Sequence, residues 1–341
     1  MNWFERITGF AEGSYSETQA RLRVVDGRLQ SETGGSGFPV GTLDFVMLET
    51  LRQRARDKHV PGELSLSIIE GDVRQLHAAP KNAQAVFQVA SQFNLLEMVG
   101  PDVTPEEGVT RYAYDRTQGP ACAIAAGAGT IWRNYLVPVG DQIGQTATRQ
   151  LDGLADIGEA LARDMGVPRE TLWRMSNGYA LPDPHALTQI EAYLATLPEE
   201  GRDRLRGLLR VGVHRDVGVT EPGAAADARV TQVYCSALPV AYSEIPATKW
   251  THFAPLILEA AYEATMLAAV MNAASGGSRK LFLTRIGGGA FGNDDAWINA
   301  AILRALHRVA DQGIEVLMVS YGPPTAAMRA LEAAWKNKST R

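Results

Sequence analysis

Cysteine is scarce in this chain. Its 341 residues include two, Cys122 and Cys235, which lie far apart and form no CxxC pair. That excludes a disulfide framework and a cysteine-rich zinc site. Long apolar runs free of charge are also missing. The longest, Leu256–Ala274, is interrupted by Glu259 and Glu263, which argues for a buried amphipathic helix and against a membrane span. The N-terminus, MNWFERITGF, has neither a basic n-region nor a long apolar h-region, so no cleaved signal is expected. The expected location is the cytoplasm, or outside the cell after export without a cleaved signal. No excess of basic charge exists: 33 Lys and Arg stand against 38 Asp and Glu, for a net charge of -5. That balance speaks against a general nucleic-acid coat. The six histidines are scattered, and His77, His252 and His307 form no HxxxH. No metal site and no cofactor are therefore expected.

What is present suits a soluble globular protein, with 45% apolar and 21% charged residues. The length fits one elaborated domain or two small ones. Asp26-Gly27 marks a hairpin, since a type I′ turn needs two residues tolerant of positive φ. GGSG at 34–37 reads as a loop and 42–57 as a helix. Strands are expected at 64–70, 84–90, 229–237, in LFLTRI and at 316–321, with helices at 253–274 and 295–311. Residues 144–210 read as an all-helical block. Strands alternating with helices on either side of that block predict an α/β sheet covered by helices.

The sharpest chemical feature is Gly287-Gly288-Gly289-Ala290-Phe291-Gly292-Asn293, a glycine loop between a strand and a helix. Glycines let backbone N–H groups approach an anion, and a helix N-terminus adds partial positive charge. Phosphate binding is the physical reading; a tight strand–helix turn is the plain alternative. Two nucleotide folds fit poorly. A Rossmann fold needs further βαβ units and an acidic residue ending the next strand, but that strand ends Val319-Ser320-Tyr321 and Glu315 stands at its start. A Walker loop needs GK[ST], which is absent.

Three segments in order carry a family resemblance. Glu70-Gly71-Asp72-Val73-Arg74-Gln75-Leu76, followed by AQAVFQVASQFN, resembles the opening of a macrodomain. AIAAGAGT resembles that family's first glycine-rich loop, and GGGAFGN after LFLTRI its second. The likeness spans roughly 64–138 and 229–325, about half the chain. The usual N-A-A-N is replaced by Ala90-Ser91-Gln92-Phe93-Asn94, and a helical block interrupts the core. With Asp294-Asp295, these departures look most like the divergent macrodomains that remove ADP-ribose from arginine.

The resemblance implies a three-layer α/β/α macrodomain-like mixed sheet with an inserted all-helical subdomain. The divisions would be an N-terminal extension at 1–60, core at 61–140, helical insertion at 141–228, and core at 229–341. The implied ligand is ADP-ribose or an ADP-ribosylated protein, with no membrane partner and no nucleic acid. Asp72, with Val73 beside it, would hold the adenine amino group, and Tyr321 would flank the ring. Gly127, Ala128, Gly129 and Thr130 would approach one phosphate, and Gly287, Gly288, Gly289, Ala290, Gly292 and Asn293 the other. Phe291 would lie on the distal ribose, with Gln92 and Asn94 on its hydroxyls.

Hydrolysis at C1″ passes through an oxocarbenium-like transition state and needs a carboxylate. An arginine leaving group also presents a guanidinium that pairs with planar carboxylates. Asp294, Asp295 and Glu97 are the candidates, and each aspartate could equally be a helix cap. Two other readings remain: a non-catalytic ADP-ribose reader, and a DNA-binding regulator. The second rests on residues 157–194, which resemble a helix-turn-helix with Arg169–Asn177 as its recognition helix. Within 144–210, however, eight arginines face ten acids, a poor balance for neutralising phosphates.

Overall fold

The computed structural model describes residues 1–33 and 37–338, so most of the GGSG stretch lies outside the described residues. Seven strands form one mixed sheet: β1 Thr42–Met47, β2 Ser65–Glu70, β3 Val86–Ala90, β4 Arg210–Gly218, β5 Arg229–Cys235, β6 Lys280–Leu283 and β7 Glu315–Ser320. Across the sheet they lie in the order β1-β4-β5-β3-β6-β7-β2. The five from β5 to β2 run parallel, and β4 is antiparallel to both of its neighbours.

The alternation of side chains along a strand divides the core into two layers. Val86, Leu281 and Leu283 pack with the helix Phe253–Ala274. Phe87, Val89 and Phe282 face the other way, onto Val73 and Cys122. Helices Leu48–Ala55, Phe253–Ala274, Asp295–Arg308 and Ala326–Lys338 cover the first face. Val73–Ala78, Gln118–Ala125 and Gly127–Tyr135 cover the second. The architecture is therefore the expected three-layer α/β/α arrangement around a mixed sheet.

Helix Phe253–Ala274 is long and apolar enough to cross a membrane, yet 83% of its most apolar window is buried in the protein. Its two glutamates explain themselves. Glu263 pairs with Arg52 at 2.7 Å and Arg304 at 2.5 Å, and Glu259 pairs with Arg206 at 2.6 Å. The charges tie this helix to its neighbours.

Three expectations need correction. Residues 42–57 are not one helix: β1 occupies the first part, and Leu48–Ala55 is the helix. Leu43 and Phe45 face one layer and Val46 the other, which is a strand period and not a helical one. The block 144–210 is not all-helical. Ala155–Met165, Pro184–Thr196 and Glu199–Gly207 are helices, but Arg174–Ser176 and Tyr179–Leu181 pair as a hairpin. The expected recognition helix is a 3-10 turn, Arg169–Thr171, followed by a hairpin strand. Asn177 and Gly178 take φ 45° and 80° there, which makes a type I′-like turn and leaves no helix-turn-helix. Finally, β1 comes from the first sixty residues and β4 from the 141–228 segment, and both belong to the sheet.

Candidate active site

Parallel strands end on the same side, so β2, β3, β5, β6 and β7 deliver their carboxyl ends to one edge of the sheet. Ligands of open α/β sheets lie in the crevice outside those ends. Of the cavities that open there, two run along the strand ends. One, of about 430 Å³, is lined by Gly71, Asp72, Val73 and Arg74 after β2 and by Tyr321 after β7. The other, of about 210 Å³, is lined by Gln92 and Glu97 after β3, Ala237 after β5, and Thr284–Gly287 with Gly289–Phe291 after β6. They meet at Asp115, Thr117, Gln118 and Thr284.

Backbone donors line the smaller cavity. The amides of Gly289 and Ala290 make no hydrogen bond within the described protein, and both residues are exposed. The loop is pinned from below: Asn293 Nδ2 donates to Leu238 O at 2.9 Å, and its backbone N–H donates to Gly287 O at 2.9 Å. Gly287 and Gly292 have φ of 75° and 67°, positions that favour glycine. Opposite stands the N-terminus of helix Gln118–Ala125, whose Pro120 sits in the first turn where its missing N–H costs nothing.

Glu97 lies in the smaller cavity and is 4% exposed. Its backbone N–H donates to the Tyr112 hydroxyl at 3.0 Å, while its carboxyl Oε1 is buried with no hydrogen bond among the described residues. Burial pushes its carboxyl well above the ordinary value; nearby Arg133 opposes that shift and Asp115 adds to it. Burial thus favours the protonated carboxyl, the form that can donate a proton. Arg133 is its positive neighbour. Fully buried, it donates from Nε to Leu95 O at 3.2 Å and from Nη2 to Thr130 Oγ1 at 3.0 Å. Its guanidinium lies 3.7 Å over the Tyr234 ring. Leu95 takes φ 64°, so the turn before Glu97 is held in a conformation that is rare for a branched residue.

The other expected residues divide. Asp72, Val73 and Tyr321 line the larger cavity, and Tyr321 is 85% exposed. Asp72 also caps the following helix, accepting from Arg74 N at 2.8 Å. Gln92 and Phe291 line the smaller cavity. Asn94 does not: its amide bonds Gln150 and the Leu96 N–H. Gly127, Ala128, Gly129 and Thr130 form no loop. They open the helix Gly127–Tyr135, buried against Trp3, His214 and Val217. Small residues there allow close helix packing, so those glycines serve contact between elements and not a phosphate.

Asp294 and Asp295 also lie outside both cavities. Asp294 caps the helix Asp295–Arg308, accepting from Ala296 N at 2.7 Å. Asp295 pairs with Arg285 at 2.5 Å with its side chain 65% exposed.

Sequence reasoning missed Asp115, Gly119, Tyr179 and Tyr242, all on the smaller cavity. A signal existed for Gly119: Gln118-Gly119-Pro120 before an apolar run is a helix-start pattern. Tyr179 carried none, because its hairpin was read as helix. Its hydroxyl donates to Met98 O at 2.6 Å, and its ring packs on Phe291 and Tyr242 with centroids 5.3 and 5.1 Å away.

No known family model matches the chain, and no curated protein matches its sequence. Among solved structures it is similar to poly(ADP-ribose) glycohydrolase from Thermomonospora curvata, with 14% identity and a TM-score of 0.41 over 94% of this chain and 97% of that one. It is also similar to the Deinococcus radiodurans glycohydrolase in complex with ADP-ribose, with 13% identity and a TM-score of 0.42 over 87% and 94%. A macrodomain from Oceanobacillus iheyensis gives 10% identity and a TM-score of 0.35 over 83% and 96%. Scores this low transfer no ligand and no residue role to this chain.

Proposed function

We propose that this protein binds ADP-ribose and hydrolyses ADP-ribosyl groups from modified protein side chains. The observation that carries the reading is the placement of Glu97: a buried carboxyl lining a cavity, between a glycine loop and a helix N-terminus, at the carboxyl ends of parallel strands. Adenine would occupy the larger cavity by Asp72, Val73 and Tyr321. The diphosphate would cross the junction, facing the Gly289 and Ala290 amides. The distal ribose would then reach Phe291, Gln92 and Glu97.

In this pose Glu97 donates its proton to the leaving atom as the bond to C1″ breaks. Water then adds to C1″ and returns a proton to the carboxylate. Asp115, accepting from Thr117 N at 2.8 Å, supplies the second carboxylate that an oxocarbenium-like transition state favours.

Arginine is the side chain that the sequence resemblance points to. The burial that raises the Glu97 pKa favours a second reading, an oxygen-linked substrate, because an oxygen leaving group needs a proton and a guanidinium already carries one. The test measures ADP-ribose affinity by calorimetry, then ADP-ribose release from arginine-, glutamate- and serine-linked proteins. Glu97→Gln should lose on the order of 10²–10⁴-fold in turnover while keeping product affinity. Binding without release by the wild type would make the protein a reader. No binding at all would overturn the proposal.

A further inference from the structure

Beside the smaller cavity runs a groove of about 830 Å³ that the proposed chemistry does not use. Tyr242 lines both, and Tyr179 and Leu181, on one hairpin strand, line the cavity and the groove respectively. The groove therefore opens next to the wall where the ribose C1″ would lie. Its apolar lining includes Trp173, Pro182 and Ile245. Trp173 is 4% exposed, and its Nε1–H is buried with no hydrogen-bond partner among the described residues. A buried donor of that kind costs free energy unless something accepts from it.

The groove is acidic. Glu170, Asp183 and Glu244 line it and are exposed, and Glu170 and Glu244 make no ion pair among the described residues. Against them stand Arg174 and His185 in the lining and Arg169, whose guanidinium lies 4.2 Å over the Trp173 ring. At neutral pH that leaves negative charge along an apolar floor.

We infer that this groove holds the polypeptide on which the ADP-ribosyl group is carried, as an extended segment with basic residues flanking the modified one. The inference rests on the hydrolase reading for the position of the modified residue. Charge complementarity and continuity with the cavity through Tyr242 select a basic peptide over an acidic one. The apolar floor would bury the aliphatic stems of Lys or Arg.

The experiment compares wild type with the double variant Glu170→Lys, Glu244→Lys, two exposed positions whose change spares the core. Anisotropy reports binding of an unmodified labelled arginine-rich peptide and of an acidic peptide of equal length. Kinetics report KM and kcat for the same basic peptide carrying ADP-ribose, and calorimetry reports ADP-ribose affinity. The wild type should bind the basic peptide selectively, more weakly as salt rises. The double variant should lose on the order of tenfold in peptide affinity and gain similarly in KM, at unchanged kcat and ADP-ribose affinity. Equal binding of the two peptides, or an unchanged KM in the variant, would overturn the groove. Peptide binding intact with no ADP-ribose release would instead fell the hydrolase reading and leave the groove standing.

Discussion

Glu97 and Gly119 show how closely one acid depends on its neighbour. A Cβ on Gly119 would sit 2.3 Å from Glu97 Oε2 and 2.0 Å from Ala90 O. Neither the buried carboxyl nor the strand backbone can give way cheaply. Gly119→Ala should therefore displace the acid, and turnover should fall on the order of 10²-fold, as misplacement by about 1 Å commonly costs. Asp294→Ala should behave oppositely, costing about 0.5–2 kcal/mol of stability as a lost cap while sparing turnover. Assaying both variants for turnover and melting temperature separates the roles. The pH dependence follows from burial. The acid acts while protonated, so activity should fall as pH rises through its raised pKa. Its stability effect has the same sign: the unfolded state gives up the proton first, so wild type loses stability relative to Glu97→Gln as pH climbs above the ordinary carboxylate range. Urea unfolding of both proteins across pH checks that, and a constant difference would contradict it.

At the scale of elements, the parallel strands were legible because each is a short apolar run bounded by turn residues. The glycine loop was legible because its spacing has a backbone reason. What escaped was whatever depends on partners distant in sequence. The β4 strand, containing Val211, Val213 and Val217, lies between β1 and β5, and nothing local marks it as central. Gly127 and Gly129 read as a loop because glycine is ambiguous: the same lack of a side chain serves a phosphate or a helix contact. Glu97 was visible as a candidate, but its raised pKa comes from burial, which sequence does not print. The hairpin Arg174–Leu181 shows why insertions matter. Tyr179 reaches from it to Met98 O, one residue from the acid, and Gln92 Oε1 accepts from Met98 N at 2.7 Å. Tyr179→Phe should cost roughly 0.5–1.5 kcal/mol and lower kcat more than it weakens ADP-ribose binding. An unchanged kcat would show that the hairpin supports the fold and not the acid.

For the whole molecule, acid sensitivity should come from the layer beneath the site. His77 stacks on Phe87 with centroids 3.7 Å apart, and its Nδ1 lies 2.7 Å from Val73 O. Gln232 Nε2 donates to His77 Nε2 at 3.1 Å and to Cys122 O at 2.8 Å. His77 thus carries its proton on Nδ1 and accepts on Nε2, a pattern only the neutral ring can keep. Burial lowers its pKa to about 4 from 6.5. His214, beside Arg133, is lowered to about 3 by burial and by that positive neighbour. Both changes have one sign. Below 6.5 the unfolded chain takes up protons that the folded chain refuses, so stability falls as pH drops toward about 4 and then 3. The loss should reach a few kcal/mol, since each tenfold drop in proton affinity on folding is worth roughly 1.4 kcal/mol. Protonating His77 also expels the Gln232 amide, which holds Cys122 in the helix whose N-terminus faces the cavity. Urea unfolding of wild type and His77→Gln at neutral and mildly acidic pH checks the argument. The variant should be weaker at neutral pH yet lose less on acidification, and matching losses in the two proteins would remove His77 as a source of the acid sensitivity.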